Sequence, residues 1–299
     1  MSIFSFFKKK PIVIVHDGKF HCDDLFAVAT LMLAEGDMRV VRTRDESLIV
    51  QAEYVADVGG VYDPEKNRFD HHQKGGAGFH ENGLLYASFG LVWKKYGEKL
   101  CGSMEVAKEV EEHLVSQIDA DDNGVAIFTP NGDVFPRSLQ SFFYAYRPTW
   151  KENQLLFDRN FLRLIPVAKD FLKREIIRAR DILEADAAIL KAYNETPDKR
   201  FLLLDNNYPF EEALADKPEV LYVVRPRPNG SWGVSVVPDG DNYYAHRKPL
   251  PEAWAGLRDA DLVRVTGVPD AVFCHNARFL AVAKSKDGAL ALVHKALEN

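Results

Sequence analysis

The stretch that decides the fold runs from Ile12 to Asp24: IVIV, then HDGKFHCDD. The first four residues are apolar and β-branched, a run that suits a strand buried on both faces. It stops at a turn loosened by Gly18. Asp23 then opens an apolar-periodic pattern through Leu25, Val28, Ala29, Met32 and Leu33, which predicts a helix. Working outward, residues 38–43 and 54–58 read as further strands, with a helix over 46–51 between them. Tyr62 and Phe69 flank DPEKNR, a segment of hairpin-turn composition. Strands alternating with helices imply an α/β domain with a mostly parallel sheet.

Beyond this core, helices are predicted at 87–96 and 104–118, and residues 124–150 read as a loop rich in aromatics and prolines. A long helical pattern covers 163–193, with a break expected near Pro166. Thr196-Pro197-Asp198 has the composition of a boundary. Strand patterns follow at 201–204, 220–224, 232–237 and 271–274. The expected organisation is an α/β domain over 11–160, a helical linker over 161–195, and a smaller C-terminal α+β domain over 196–299.

The chemistry gathers where strands end. His16, His21 and Asp23 share one turn after the first strand, and Asp70-His71-His72 follow the strand-like residues before Phe69. Imidazole nitrogens and carboxylate oxygens are the donors that divalent transition metals take. In open α/β sheets, ligands bind beyond the carboxyl ends of the strands. Two such clusters therefore point to one site holding one or two metals. Asp57 sits in an apolar strand, where a carboxylate is costly unless paired or metal-bound, and it is the expected bridging group. A turn role beside Gly59-Gly60 is its plainer reading. Asp119 or Asp122 supplies a further carboxylate, the plain alternative being a solvated helix end before Asn123-Gly124. Asp24 reads as an acid favoured by the dipole at a helix N-terminus. Two metals about 3.5–4 Å apart suit displacement at phosphorus. Mn2+ fits this donor set best, with Zn2+ or Mg2+ as substitutes. A phosphoryl substrate also needs cations, and Lys74, Arg247, Lys248, His275 and Arg278 are the candidates. Tyr243, Tyr244 and Trp232 could stack a base, although core packing is the plainer role.

Composition sets limits. The chain has 299 residues, 46% hydrophobic and 27% charged, with a formal net charge of −6. A broad basic face for long nucleic acid is excluded by that charge, while local pockets are not. Cys22, Cys101 and Cys274 form no paired framework, which fits a reducing, cytoplasmic setting, and Cys22 reads as a small residue packed beside the site. Residues 1–10 place apolar residues before charges, the reverse of a signal peptide, and read as a solvated arm. No run has the length of a membrane span. A homodimer remains open.

The blocks HDGKFHCDD, ADVGG, FDHHQKG, IDADDNG, RKPLPEAWAGLRD and FCHNARF resemble, in order and spacing, the Myg-type family (melanocyte proliferating gene product and its relatives) of the DHH phosphoesterase superfamily. The resemblance spans nearly the whole chain. It implies an N-terminal α/β domain, a connecting helix and a smaller C-terminal domain, with the active site in the cleft between them. It implies His16, His21, Asp23, Asp57, Asp70, His71 and either Asp119 or Asp122 as metal ligands. His71, Asp57 and His72 become the expected catalytic groups, His72 touching substrate or tuning the site. The implied activity is 3′-to-5′ exonucleolytic cleavage of RNA or short oligonucleotides, releasing nucleoside monophosphates. Three positions depart from the pattern. FCHNARF stands where relatives carry a Gly-Gly-His signature, Asp17 replaces an asparagine, and His21 stands where aspartate is usual. Hydrolysis of small phosphate esters or cyclic dinucleotides would use the same metal groups, and a non-catalytic, metal-stabilised binding protein is the third reading.

Overall fold

The computed structural model describes residues 10–129, 132–133, 135–240 and 242–299, and the side chains at 242–244 are outside that description. The expected N-terminal arm, apart from Lys10, and the side chains of Tyr243 and Tyr244 therefore lie outside the described residues. The chain divides into two compact units, one through Arg180 and one from Asp181.

In unit 1 the apolar run becomes strand β1 (Ile12–Val15), followed by helix α1 (Cys22–Glu35), β2 (Arg39–Arg42), α2 (Glu46–Gln51) and β3 (Tyr54–Ala56). A hairpin of two-residue strands, β4 (Tyr62–Asp63) and β5 (Arg68–Phe69), closes over a 3-10 turn that starts at Pro64. The sheet order is β2-β1-β3-β5-β4, parallel except for β4 at one edge. On one face, Ile14 and Val55 pack with Ile49 of α2 and with Ala52 and Val58. Four helices follow: α3 (Ser88–Cys101), α4 (Met104–Val110), α5 (Ser116–Asp122) and α6 (Leu139–Tyr144), with a π-helical turn at Glu111–Val115 between α4 and α5. The ring of Phe26 on α1 lies 5.3 Å from Phe89, 5.5 Å from Phe143 and 6.0 Å from Phe171, so one aromatic cluster ties several helices together.

Two sequence expectations are corrected. Within the expected 124–150 loop, Ser138 caps α6 by accepting from the Ser141 amide at 3.2 Å. Helix α7 runs unbroken from Leu156 to Glu195 despite Pro166. Pro166 and Leu162 face solvent, so the carbonyl that loses its amide partner can be hydrated, while Phe161, Leu164, Ile165, Ala168 and Leu172 are buried along the packed face.

Unit 2 carries β6 (Phe201–Leu203), β7 (Tyr222–Pro226), β8 (Trp232–Val236), β9 (Pro238–Asp239), β10 (Asn242–His246), α8 (Asp259–Thr266), β11 (Ala271–Cys274), β12 (Leu280–Ala283) and α9 (Lys286–Glu298). The order β11-β12-β8-β7-β6 is antiparallel except for the β6–β7 pair. The architecture is thus α/β with a parallel sheet, helices and a second sheet unit. Among the described residues, no helix is long and apolar enough to cross a membrane. At the start of α9, Asp270 accepts from the Ser285 amide at 2.8 Å and from its hydroxyl at 2.6 Å. A Cβ on Gly288 would stand 2.0 Å from Asp270 Oδ1. Gly288→Ala should therefore destabilise the protein by about 1–3 kcal/mol, read as a lower urea midpoint.

Candidate metal centre

Three strand ends and two helix ends build the site. The chain leaves β1 at His16, β3 at Asp57 and β5 at Asp70, His71 and His72, while His21 caps α1, Asp23 lies in its first turn and Asp122 ends α5. Asp57 has φ +56°, in the left-handed region that costs a non-glycine residue about 1–2 kcal/mol. The Asp57 amide still donates to the Phe69 carbonyl at 3.1 Å, so the ladder holds this strained residue at the sheet's mouth. Gly60, at φ +70°, turns its N–H onto Asp70 Oδ2.

Side chains from these ends converge. His16 Nε2 lies 3.1 Å from both Asp24 Oδ2 and Asp57 Oδ2. His71 Nε2 lies 3.3 Å from Asp57 Oδ1 and 3.2 Å from Asp122 Oδ2, and His21 Nδ1 lies 3.2 Å from Asp122 Oδ1. His72 Nδ1 is 2.7 Å from Asp70 Oδ1. Donor atoms of Asp57, Asp70, His71 and His72 fall within 4.8 Å of one another, as do those of His16, His21 and Asp57, and those of His21, Asp23 and Asp122.

The electrostatics ask for a cation. Both oxygens of fully buried Asp23, Asp24 Oδ2, Asp57 Oδ2, His16 Nε2 and His71 Nε2 are buried without a hydrogen bond. The close approaches of His16 and His71 to these carboxylates lack hydrogen-bond alignment, whereas His72 Nδ1 is hydrogen-bonded to Asp70. Buried polar atoms are almost always satisfied in native proteins, so this cluster of orphans fits bound divalent metal. Burial, then the charges of Asp57 and Asp122, push Asp23 well above the carboxylate range. Burial opposes protonation of His16, but Asp24 and Asp57 carry it up to about 10. His71 likewise rises to about 10 against burial, through Asp122 and Asp57. Burial would raise Asp57 and Asp122, but His16 and His71 hold the first below its ordinary value, and His21 and His71 the second.

Asp24, read from sequence as a dipole-favoured acid, is buried, accepts from the His21 amide at 3.0 Å and faces His16. Asp119 turns elsewhere: its oxygens meet His80 Nε2 at 2.9 Å and the Gly90 amide at 3.1 Å. Lys74 is exposed just past His72. Arg247 donates to the carbonyls of Leu214, Ala215, Lys217 and Val220, and Lys248 to Leu297 O at 3.3 Å. His275 Nδ1 accepts from the Ala277 amide at 3.0 Å, and Arg278, at φ +61°, donates to Leu250 O at 3.4 Å. Trp232 is half-buried, 5.8 Å from Lys286 Nζ. Sequence reasoning missed Arg147, whose Nε donates to Phe20 O at 2.7 Å, just before His21, and whose guanidinium stacks 3.5 Å from the Tyr144 ring. It also missed Arg42, which donates to Gly18 O at 3.0 Å and to Asp158 at 2.7 Å. Both depend on side chains meeting across the fold, and no local motif marks them. Unit 2 holds a cavity of about 650 Å³ with Phe210, Arg225, Arg227, His246 and Phe279 in its lining.

Two outcomes follow from the centre. A metal takes imidazole only without its proton, so Mn2+ binding should release protons. Because His16 and His71 hold theirs up to about 10, affinity should rise with pH, by up to about 100-fold per unit for two displaced protons. Calorimetry in buffers of different ionisation enthalpy measures this release. Asp23→Asn removes a buried carboxyl that has no hydrogen bond and that burial and its acidic neighbours make costly to ionise, so the metal-free protein should melt about 2–4 °C higher, while the stabilisation by added Mn2+ is lost.

The sequence profile of MYG1_exonuc, described as Uncharacterised protein family (UPF0160), matches residues 12–297. The MYG1 exonuclease of Homo sapiens is 27% identical over 327 aligned positions, covering 96% of this chain and 86% of its own length. A MYG1 protein of Caenorhabditis elegans is 30% identical over 333 positions, covering 96% and 95%. Among solved structures, one described as "pGpG-specific phosphodiesterase - PggH from Vibrio cholrae" is loosely similar over 97% of both chains, with 14% identity and a TM-score of 0.33. With the profile matched from the first strand to the last helix, the chain belongs to the MYG1_exonuc family.

Proposed function

We propose that this protein is a metal-dependent phosphodiesterase that shortens RNA or short oligonucleotides from the 3′ end, releasing nucleoside monophosphates. The observation that carries the reading is the set of buried, unsatisfied donors on His16, Asp23, Asp57 and His71, gathered where three strands end. The MYG1 relatives named exonucleases support nucleic acid as the substrate class. When bound, divalent ions supply Lewis acidity at a phosphoryl oxygen and lower the pKa of water, and Mn2+ suits these donors best.

The chain's own residues do the rest. His16, His21, Asp23, Asp57, Asp70, His71 and Asp122 hold the metal. Asp57 presents one oxygen to His16 and the other to His71, as a bridging carboxylate would. His72 is the exposed member of the cluster, with its side chain 59% accessible. Asp70 fixes its Nδ1, which leaves Nε2 to donate to a phosphoryl oxygen. The proton for that bond is kept because Asp70 raises the His72 pKa, a gain that burial only partly offsets. Lys74, exposed just past His72, serves the substrate's phosphate beside the centre. The unit 2 cavity has the volume of a small-ligand site. A net charge of −6 favours short substrates gripped in a pocket over long duplexes.

Incubating 5′-labelled single-stranded RNA with Mn2+ tests the proposal. Wild type should give a ladder of shortened labelled products, and His71→Ala should be slower by at least about 100-fold. Immediate release of labelled mononucleotide would reverse the polarity. No cleavage by wild type with Mn2+, Mg2+ or Zn2+ would overturn the nuclease reading.

A further inference from the structure

Outside the converging donors, one buried histidine has a carboxylate on each ring nitrogen. His80 is 4% exposed. Its Nε2 lies 2.9 Å from Asp119 Oδ2, and its Nδ1 lies 2.8 Å from Glu111 Oε1. A neutral imidazole has one N–H, so two carboxylate partners are both satisfied only when the ring donates from both nitrogens. The ring of Tyr86 covers it at 4.1 Å. Glu111 opens the π-helical turn between α4 and α5, the kind of one-residue expansion that often marks functional sites.

The other end of this relay is equally constrained. Asp119 is fully buried, and its Oδ1 accepts from the Gly90 amide. A Cβ at Gly90 would come within 1.9 Å of Asp119 Oδ2, so the helix α3 backbone is cut away to admit the carboxylate. Nearby, Asn123 Nδ2 donates to Leu85 O at 3.2 Å, a second tie between the end of α5 and the segment after His80.

The ties matter because of what lies at each end. Asp122 follows Asp119 by one helical turn on α5 and meets His21 and His71. His71 and His80 lie on the same segment, between β5 and α3. The His80–Asp119 contact therefore bolts the segment carrying His71 to the helix carrying Asp122.

We propose that His80 is a positioning residue of the metal centre, acting through Asp119 and α5 to hold Asp122 against His71 and His21. It touches neither metal nor substrate. The proposal rests on the metal-centre reading. Without His80, α5 keeps only the Gly90 and Asn123 ties, and Asp122 no longer has one fixed place opposite His71.

Mn2+ alone is the probe, titrated by calorimetry into folded wild type, His80→Gln and Glu111→Gln, with kcat and KM on RNA measured alongside. His80→Gln should bind Mn2+ about 10- to 100-fold more weakly, and kcat should fall while KM stays within about twofold. Glu111→Gln keeps an acceptor for the ring and should lose less than His80→Gln. A merely structural role would lower thermal stability and leave the Mn2+ affinity of the folded protein unchanged. That result in His80→Gln overturns the proposal. If His80→Gln does not fold, wild-type Mn2+ affinity in Glu111→Gln overturns it. Wild type that binds neither Mn2+ nor Zn2+ would overturn the metal centre and this proposal together, which separates the two failures.

Discussion

Ionisable groups crowded into a dry place govern this protein. Asp23, Asp24 and Asp57 are buried within reach of one another's fields, and burial is what most opposes ionising any of them. His16, His21 and His71 stand among them, and His16 and His71 hold their protons there up to about 10. Asp23 and Asp24 lie in the first turn of α1, and such a helix end carries only about half a positive charge. A fold can keep such a centre only if the backbone fixes every member, because each carboxylate would otherwise swing out to water. Parallel strands provide that fixity. Their ends stand side by side, and the amide of Asp57 is still bonded to the neighbouring strand when its side chain enters the cluster.

The rest of unit 1 opposes the strain that the centre introduces. Arg42 reaches from β2 to the carbonyl of Gly18 and to Asp158, with its guanidinium 4.7 Å from the ring of Phe161. The loop between His16 and His21 is thereby held from outside by a side chain that is itself buried. Phe26 and its aromatic neighbours provide apolar burial directly behind Asp23 and Asp24 on the same helix. The arrangement divides the work: the helices supply stability, and the strand ends hold a site that lowers it.

Much of this was legible in the sequence, for a physical reason. The IVIV run falls on β1, and the residue after it is His16, because a strand buried on both faces must be continuously apolar and must stop where the first polar group appears. The hairpin around DPEKNR and the helix at Glu46–Gln51 were equally readable, since turn chemistry and caps are local. Asp119 and Asp122 were not separable. They lie three residues apart on one helix, and which faces the centre is decided by His80 and the space at Gly90, both distant in sequence. The four carbonyls that Arg247 meets have no signature in a sequence. Helix α6 was hidden by its short length, and the continuity of α7 through Pro166 by the assumption that a proline breaks a helix even where the lost bond faces water.

The ends of the parallel sheet have a consequence for how the chain behaves in a crowd. Among the described residues β2 pairs with β1 alone, and it opens on the exposed Arg39. At the opposite margin β4 is only two residues long and runs straight into Pro64. Exposed strand margins are where neighbouring chains add on and fibrils grow, and charge, brevity and proline are the features that discourage them. Unit 1 can thus keep a strongly β-forming run such as IVIV at the centre of its sheet, where both sides are paired, and offer aggregation very little template at its borders.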